Sequence, residues 1–186
     1  MITVRKSEKK DSRAIAELIA EAIEDLACLF TGMEDMDTAV KVLETFVRME
    51  ENRFSYRNCL SAVDGESVAG MILIYSLDML ETQDIPVKEH LRVLGKPDKL
   101  PIECEAGEIY IDSVAVTKEA RGKGIAKLLI DAAAEETQQR GFRRLSLLVD
   151  EKKDGVKRLY EKLGFVDGGT MFEMQGHRYY RMVREV

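Results

Sequence analysis

The stretch VTKEARGKGIAKLL, residues 116–129, stands where an apolar strand gives way to a helix and is unusually rich in glycine and basic residues. Gly122 and Gly124 alternate there with Arg121 and Lys123. A helix leaves its first backbone N–H groups unpaired and carries partial positive charge at that end, and glycine lets an anion approach the backbone closely. The stretch therefore predicts a phosphate cradle, with Arg121 and Lys123 adding charged contacts. The alternative is that the glycines only permit a turn and that the basic side chains are exposed to solvent without a ligand.

Two common nucleotide-binding motifs do not fit this stretch. A dinucleotide fingerprint needs a third glycine where Lys127 stands, and a P-loop needs Gly-Lys-Ser/Thr, whereas here Lys123 precedes Gly124.

Regular elements are predicted on both sides of the cradle. EIYIDSVAV (108–116) predicts a strand, and apolar residues from Ile125 to Ala133 recur at helical spacing before Gly141. The other predicted elements are a strand in ITVRK, a helix after Asp11 or Ser12, a helix from about Asp37 to Met49, a β-hairpin around Asp64-Gly65, a strand in RRLSLLV, a helix in DGVKRLYEKLG, and two closing strands that turn near Gly176. Residues 78–106 contain all three prolines and are interpreted as an insertion or flap.

This order of elements predicts a single domain over residues 1–186 of the α/β (mixed α+β) class. We expect a central mixed sheet of about six to seven strands, mostly antiparallel, flanked by helices. A chain of 186 residues with 45% hydrophobic and 33% charged residues is ordinary for a globular domain.

The distribution of charge bears on possible partners. The formal net charge is −6, with 15 basic against 13 acidic residues in 108–186 and 13 against 21 in 1–107. This asymmetry suits an anionic ligand on the C-terminal half and a cationic one, such as a polyamine, amino sugar or lysine side chain, on the N-terminal half. A chance distribution of solvated charge is the alternative. The lack of a basic stripe argues against nucleic-acid binding.

Other classes of site and location are disfavoured by the same sequence. The three cysteines are far apart and only two histidines are present, so we expect no metal site. No apolar run approaches the roughly 20 residues that cross a bilayer, and the N-terminus lacks the apolar stretch of a signal peptide. We expect a cytoplasmic protein that binds no membrane.

The cradle resembles the pyrophosphate-binding motif of the GNAT superfamily of N-acetyltransferases, Arg/Gln-x-x-Gly-x-Gly/Ala, in Arg121, Gly124 and Ala126. RLYEKLGF (158–165) is similar to the second signature of that family, a helix that bears a Tyr and ends in Gly-Phe. The resemblance is strong over residues 107–166 and absent over 78–106.

The resemblance implies that coenzyme A binds along this part of the chain. The backbone amides implied to bind its pyrophosphate are those of Arg121, Gly122, Lys123, Gly124, Ile125 and Ala126. Val114 and Val116 would pair through their backbone with the pantetheine arm. The chain departs from the family where many members have an Asn seven residues before the Tyr, because it has Lys153 there, which could meet a coenzyme phosphate.

The chemistry implied is acetyl transfer from acetyl-CoA, as a co-substrate, to an amine that must first lose a proton. Deprotonating an amine of pKa about 10.4 at pH 7 costs roughly 4.6 kcal/mol, so a base or a desolvating pocket is needed. Glu108 and Asp112 are four residues apart, which puts them on one face of a regular strand. We favour Glu108 as the base, directly or through water, with Asp112 as the alternate. A structural role for either carboxylate is the competing interpretation.

Two further catalytic roles follow. The N–H of Val116 is our choice to stabilise the oxyanion. Tyr160 resembles the general acid of the family. Its reference pKa near 10 exceeds that of a thiol, near 8.5, so we describe it as a thiolate stabiliser first and a proton donor second. Its alternative role is to pack the helix onto the sheet.

We therefore expect an acetyl-CoA-dependent N-acetyltransferase that joins acetyl-CoA and a primary amine of a small molecule or peptide in a ternary complex. The first helices, residues 78–106 and the last hairpin would form its acceptor site. The competing class is a non-catalytic acyl-CoA-binding sensor or interaction module. The closing strands could also pair between subunits in a homodimer.

Overall fold

The computed structural model describes all residues from 1 to 186, and one seven-stranded sheet runs through it. The strands are β1 (Ile2–Lys6), β2 (Cys59–Asp64), β3 (Ser67–Tyr75), β4 (Ile109–Val116), β5 (Arg144–Asp150), β6 (Val166–Met174) and β7 (His177–Glu185). The helices are α1 (Ser12–Ile23), α2 (Leu26–Thr31), α3 (Met36–Arg48), α4 (Leu77–Gln83), α5 (Ile85–Val93), α6 (Ile125–Gln139) and α7 (Asp154–Lys162). None of these helices is long and apolar enough to cross a membrane.

The order of strands across the sheet is β1-β2-β3-β4-β5-β7-β6. Only β4 and β5 are parallel to each other, and every other neighbouring pair is antiparallel. This topology confirms the predicted fold class, a mixed and mostly antiparallel sheet flanked by helices. The parallel pair is joined by α6, as expected because parallel strands need a crossover connection.

A layer of apolar side chains covers each face of the sheet. On one face α1, α2, α3 and α5 pack around a cluster that includes Ile19, Leu43 and Leu91. On the other face α6 packs through Ile125 and Leu129. The amphipathic stripes predicted for the first helix and for α6 are therefore the faces that these helices bury.

The turn between α1 and α2 was not predicted from the sequence. Helix α1 ends where Glu24 takes φ +52° and ψ −126°, a conformation that cannot continue a helix. Helix α2 follows at once and is only six residues long. After the turn α2 packs against α3 and α5, while α1 packs against β4 in the middle of the sheet.

Residues 78–106, interpreted from the sequence as an insertion or flap, are packed into the core of the domain. Leu80, Val87 and Leu91 of α4 and α5 are buried with the first cluster. Arg53 is fully buried and holds the segment at two points: its Nε donates to Asp84 at 2.6 Å and its Nη2 to the carbonyl of Pro101 at 3.2 Å. The segment therefore forms part of the wall on the α1 to α3 side.

Candidate functional site

A gap opens in the sheet between β4 and β5. The two strands pair only at Ile109 with Leu145 and at Tyr110 with Ser146. Beyond that point β4 continues to pair with β3 as far as Val116, and β5 continues to pair with β7. The edge of β4 that faces β5 is therefore without a strand partner from residue 112 to residue 116.

A β-bulge at Asp112 lies where the gap begins. Leu73 is opposite Ser113 and the next residue, Ile74, is opposite Ile111, so Asp112 is the extra residue of β4. A bulge bends its strand and increases the local twist, which accounts for the divergence of β4 from β5. The bulge also exposes Asp112 at the opening of the gap.

A cavity of about 530 Å³ occupies the gap. Four residues that the sequence analysis singled out line it together, and these are Asp112, Val114, Lys153 and Tyr160. Its walls come from residues 22–30 of α1 and α2, from the ends of β4 and β5, from α7, and from the hairpin of β6 and β7. The acceptor side was expected to include the first helices and the last hairpin, and both contribute residues.

The cradle lies just after β4, at the start of α6. Gly122 and Gly124 have φ of +75° and +76°, in the left-handed region that glycine adopts without strain. The first backbone bond of α6 runs from the N–H of Leu128 to the carbonyl of Gly124, and the amides of residues 122–127 donate to no backbone carbonyl. A run of unpaired amides at a helix N-terminus is the arrangement that binds phosphate groups.

Two of the basic side chains predicted to contact the coenzyme form ion pairs at the C-terminal end of α1. The guanidinium of Arg121 donates to Glu21, and its Nε donates to the carbonyl of Val116 at 3.3 Å. Lys153 Nζ lies 2.9 Å from Glu24 Oε1 across the cavity. Exposed pairs of this kind are worth little, typically below about 1 kcal/mol, so a phosphate can displace them. Lys123 is exposed and lies in the cradle itself.

Tyr160 lies on α7 and packs edge-on against Phe165, with ring centroids 5.6 Å apart. Burial raises the pKa of Tyr160 to about 12. The hydroxyl therefore stays protonated at all physiological pH values, and Tyr160 is one of the residues that line the cavity.

Asp112 is held by hydrogen bonds to both of its carboxylate oxygens. Tyr75 donates to Oδ1 at 2.6 Å, and the hydroxyl of Ser113 donates to Oδ2 at 2.7 Å. Both oxygens of the Asp112 carboxylate are thus fixed in position on the wall of the cavity.

Glu108, our first choice for the base, lies elsewhere. It is 1% exposed and does not line the cavity. Its carboxylate forms a buried ion pair with Arg181 and accepts from the hydroxyl of Ser146 at 2.7 Å and from the N–H of Glu105 at 2.9 Å. Four strand residues span about 13 Å, so Glu108 lies at the closed end of the sheet where β4 and β5 still pair. Its contacts are those of a structural residue, and we do not retain it as the base.

Glu103 was not among the residues predicted for the site; it comes from the loop between α5 and β4 and lines the cavity with Asp112. The pKa of Glu103 is raised to about 8, chiefly by burial and further by the negative charge of Asp112, although Arg53 opposes the shift. The loop has no periodic pattern, so no signal in the sequence placed Glu103 beside β4.

The cavity is strongly acidic. Its carboxylates are Glu24, Asp25, Glu103, Asp112 and Asp150, whereas Lys153 is its single lysine or arginine. The N–H of Lys152 and the neighbouring His177 lower the pKa of Asp150. The site therefore favours a cationic ligand beside the gap and an anionic one at the cradle.

Comparison with known proteins agrees with this geometry. A model of the Acetyltransferase (GNAT) family matches residues 20–165. The chain is 42% identical over 64 residues to a mycothiol acetyltransferase of Paenarthrobacter aurescens (strain TC1), a match that covers 34% of this chain and 19% of that protein. The chain thus spans about a fifth of the length of the curated relatives it matches.

Solved structures resemble the chain over nearly its full length. One crystal structure of an acetyltransferase has a TM-score of 0.80 and 28% identity, with 99% of each chain covered. An N-acetyltransferase from Staphylococcus aureus Mu50 has a TM-score of 0.78 and 25% identity, with 97% of this chain and 99% of that chain covered.

Proposed function

Since the family model covers most of its length, the chain belongs to the GNAT family of acetyltransferases, and we propose that it transfers the acetyl group of acetyl-CoA directly to a primary amine in a ternary complex. The observation that carries the proposal is the gap between β4 and β5. The free edge of β4 in this gap begins at the cavity that Asp112 and Tyr160 line and ends at Val116, a few residues before the unpaired amides at the start of α6. The acceptor of the mycothiol acetyltransferases is not assigned to this chain, because the match covers 19% of that relative.

The residues around the gap fit coenzyme A. Of the amides predicted to hold its pyrophosphate, those of Gly122, Lys123, Gly124, Ile125 and Ala126 are unpaired, whereas the N–H of Arg121 donates to the carbonyl of Lys118 at 3.5 Å. A Cβ at Gly122 or Gly124 would meet no atom within 4 Å, so the space beside these amides is open. The free edge of β4, including Val114 and Val116, would pair with the amide groups of the pantetheine arm as a strand pairs with its neighbour. Bound acetyl-CoA supplies a thioester carbonyl as the electrophile.

The side chains of the cavity then have separate tasks. Asp112, fixed by Tyr75 and Ser113, attracts the ammonium group of the acceptor and orients it. Backbone N–H groups on the free edge of β4 stabilise the oxyanion of the tetrahedral intermediate. Residues 112–114 of β4 line the cavity, whereas Val116, our choice from the sequence, does not, so we assign this role to an N–H of residues 112–114. Tyr160 donates a hydrogen bond to the departing sulfur. Because its pKa is about 12, complete transfer of its proton to a thiolate is unfavourable, and it acts mainly as a stabiliser of that thiolate.

The proposal is tested by measuring release of free coenzyme A with a thiol reagent against a panel of primary amines. An acetyltransferase releases thiol in proportion to the amine consumed, and mass spectrometry shows that the acceptor has gained one acetyl group in place of one hydrogen. Tight binding of acetyl-CoA without amine-dependent thiol would contradict the enzyme and support a non-catalytic acyl-CoA-binding module. Direct transfer further requires that no acetyl group stays on the protein when acetyl-CoA is added alone.

A further inference from the structure

We propose that Glu103 is the catalytic base of this reaction and that it forms, with Asp112, a carboxylate pair that binds and deprotonates a cationic primary amine. The inference rests on the proposed function and adds a residue and a substrate class to it. It is carried by the position of Glu103 in the cavity, by its lack of a partner and by the charges around it.

Glu103 is the partly buried carboxylate of the cavity that has no partner of its own. Asp112 accepts hydrogen bonds on both oxygens, Glu24 is paired with Lys153, and Asp150 accepts from the N–H of Lys152 and lies 3.4 Å from His177. Asp25 lies exposed at the rim. The pKa of Glu103 is shifted only by burial and by nearby charges, and its carboxylate accepts no hydrogen bond. Its lone pairs are therefore available to a ligand in the cavity.

The groups that face Glu103 favour a base that is only partly ionised near neutral pH. They are Asp112 and Tyr110 on β4, Tyr75 on β3, Tyr179 on β7, Arg53 behind the loop, and Cys104 beside it. Asp112 opposes ionisation of Glu103, and Arg53 assists it. The resulting pKa of about 8 is close to the value at which a general base works best at physiological pH.

The loop that carries Glu103 is fixed on both sides of that residue. Before it, Leu100 is buried and the carbonyl of Pro101 accepts from Arg53. After it, Cys104 is buried and the N–H of Glu105 donates to Glu108. Glu103 is therefore held in place before any substrate arrives, as a catalytic group must be. Glu108 takes part as an anchor of the loop.

The proposed step conserves protons and electrons. An ammonium group lies between Asp112 and Glu103, and Glu103 accepts one of its three protons. The neutral nitrogen uses its lone pair to form the C–N bond, and collapse of the tetrahedral intermediate breaks the C–S bond, whose electrons leave on sulfur. The nitrogen then loses a second proton to the departing thiolate, which becomes the thiol. Tyr160 stabilises the sulfur until that proton arrives. Glu103 finally returns its own proton to water.

The same charges define the class of acceptor. Lys153 is paired with Glu24, so the cavity keeps the carboxylates of Asp25, Asp112 and Asp150 and the partly ionised Glu103, an excess of negative charge that favours a molecule with net positive charge. An amino acid would bring its own carboxylate into the cavity beside Asp112 and Asp150, and the repulsion would weaken binding. We therefore expect alkylamines and diamines to be better acceptors than free α-amino acids.

The first test measures the titration of Glu103 and needs no acceptor. In protein labelled with ¹³C at the side-chain carboxyl of glutamate, one NMR resonance should titrate near pH 8 and should be absent in Glu103→Gln. In Asp112→Asn the same resonance should titrate at lower pH, because a negative neighbour is gone. A Glu103 resonance that titrates between about pH 4 and 5 would overturn the inference.

The second test uses kinetics with whichever amine of the panel gives the highest rate of thiol release. Glu103→Gln should lower kcat/KM on the order of 10²-fold at pH 7 and remove the rise of kcat/KM with pH. The loss should shrink for a fluorinated analogue of the same amine, because an amine of low pKa is already neutral. Glu89→Gln, which removes an exposed carboxylate of α5, is the matched control and should leave the rate unchanged.

The outcomes separate the two proposals. If no amine supports thiol release by the native protein, the proposed function fails, and the catalytic role of Glu103 fails with it. If the native protein is active and Glu103→Gln has the same kcat/KM and pH profile, only the inference about Glu103 is overturned. Rescue of the pH-dependent rise by Glu103→Asp at reduced kcat would support a base over a purely structural residue.

Discussion

The hydroxyl of Tyr75 donates a hydrogen bond of 2.6 Å to Asp112 Oδ1 and thereby joins the buried end of β3 to the bulge of β4. Tyr75 is fully buried, and burial raises its pKa well above the usual value, so it remains a donor at every accessible pH. The bond fixes the carboxylate that faces the cavity.

Removing this hydrogen bond is expected to affect both stability and acceptor binding. Tyr75→Phe should lower the free energy of unfolding by about 1.5–3 kcal/mol, as measured by denaturant unfolding, because the bond goes to a charged group. It should also raise KM for the amine. Tyr110→Phe is the control for stability. The hydroxyl of Tyr110 forms no side-chain hydrogen bond, so removing it should lower the free energy of unfolding by less. Equal effects of the two variants would contradict the role given to Tyr75.

Tyr160→Phe is expected to lower kcat on the order of 10²-fold while leaving the Kd for coenzyme A unchanged, because the hydroxyl acts on the departing sulfur. Since the pKa of Tyr160 is about 12, kcat should show no descending limb from this group between pH 6 and 10. Tyr180→Phe is the matched control, because Tyr180 packs against the second apolar cluster and does not line the cavity. An undiminished kcat in Tyr160→Phe would remove this residue from the mechanism.

Gly124→Glu is expected to abolish coenzyme A binding in a calorimetric titration. It places a negative charge among the amides and forces an L-residue to φ +76°, at a cost of about 1–2 kcal/mol. Gly95→Glu carries nearly the same strain and charge away from the site, because Gly95 has φ +67° and a Cβ there meets no atom within 4 Å. The control should lose similar stability and still bind coenzyme A. Loss of binding in both variants would show that unfolding, and not the cradle, explains the result.

Glu108→Gln is expected to destabilise the fold by up to about 3–5 kcal/mol, because it removes the buried charge partner of Arg181 and leaves only the exposed Glu105, whose Oε1 lies 3.2 Å from Arg181 Nε. Replacing both partners, as in Glu108→Leu with Arg181→Met, should recover much of that loss. The measurement is denaturant unfolding together with kcat of the folded fraction. A stable Glu108→Gln protein with a large loss in kcat would return Glu108 to the role of base.

The pH dependence of stability provides a separate check on Glu103. Its pKa is raised from an ordinary value of 4.5 to about 8, so the folded state binds a proton more tightly than the unfolded state. Stability from this group is complete below about pH 4.5 and is lost as pH rises through about 8. Glu103→Gln should therefore gain stability relative to the native protein over that interval. A constant difference between pH 4 and 9 would contradict the raised pKa.

The parts of the molecule that local pattern determines were predicted from the sequence. The strand, glycine pair and helix of residues 116–129 form one continuous signal, and the fold of the sheet follows from similar periodic segments. Helix α2 was missed because six residues are too few to show a periodicity.

The arrangement of carboxylates could not be predicted in the same way. Alternation along a strand gives the face on which Glu108 and Asp112 lie, but it does not tell where β4 parts from β5. The partner of Glu108 is Arg181, 73 residues later in the chain. Glu103 reaches the cavity through an irregular loop that is anchored by Arg53, which lies 48 residues before its hydrogen-bond partner Pro101. These contacts depend on tertiary packing, for which a single sequence carries no local signal.

The central claim, direct acetyl transfer from bound acetyl-CoA to an amine, is tested most directly by initial rates of thiol release with both substrates varied. Double-reciprocal plots against acetyl-CoA, drawn at several fixed amine concentrations, should give intersecting lines, as a ternary complex requires. Parallel lines would contradict the account because they indicate an acetylated enzyme intermediate. A rate independent of the amine would contradict it as well.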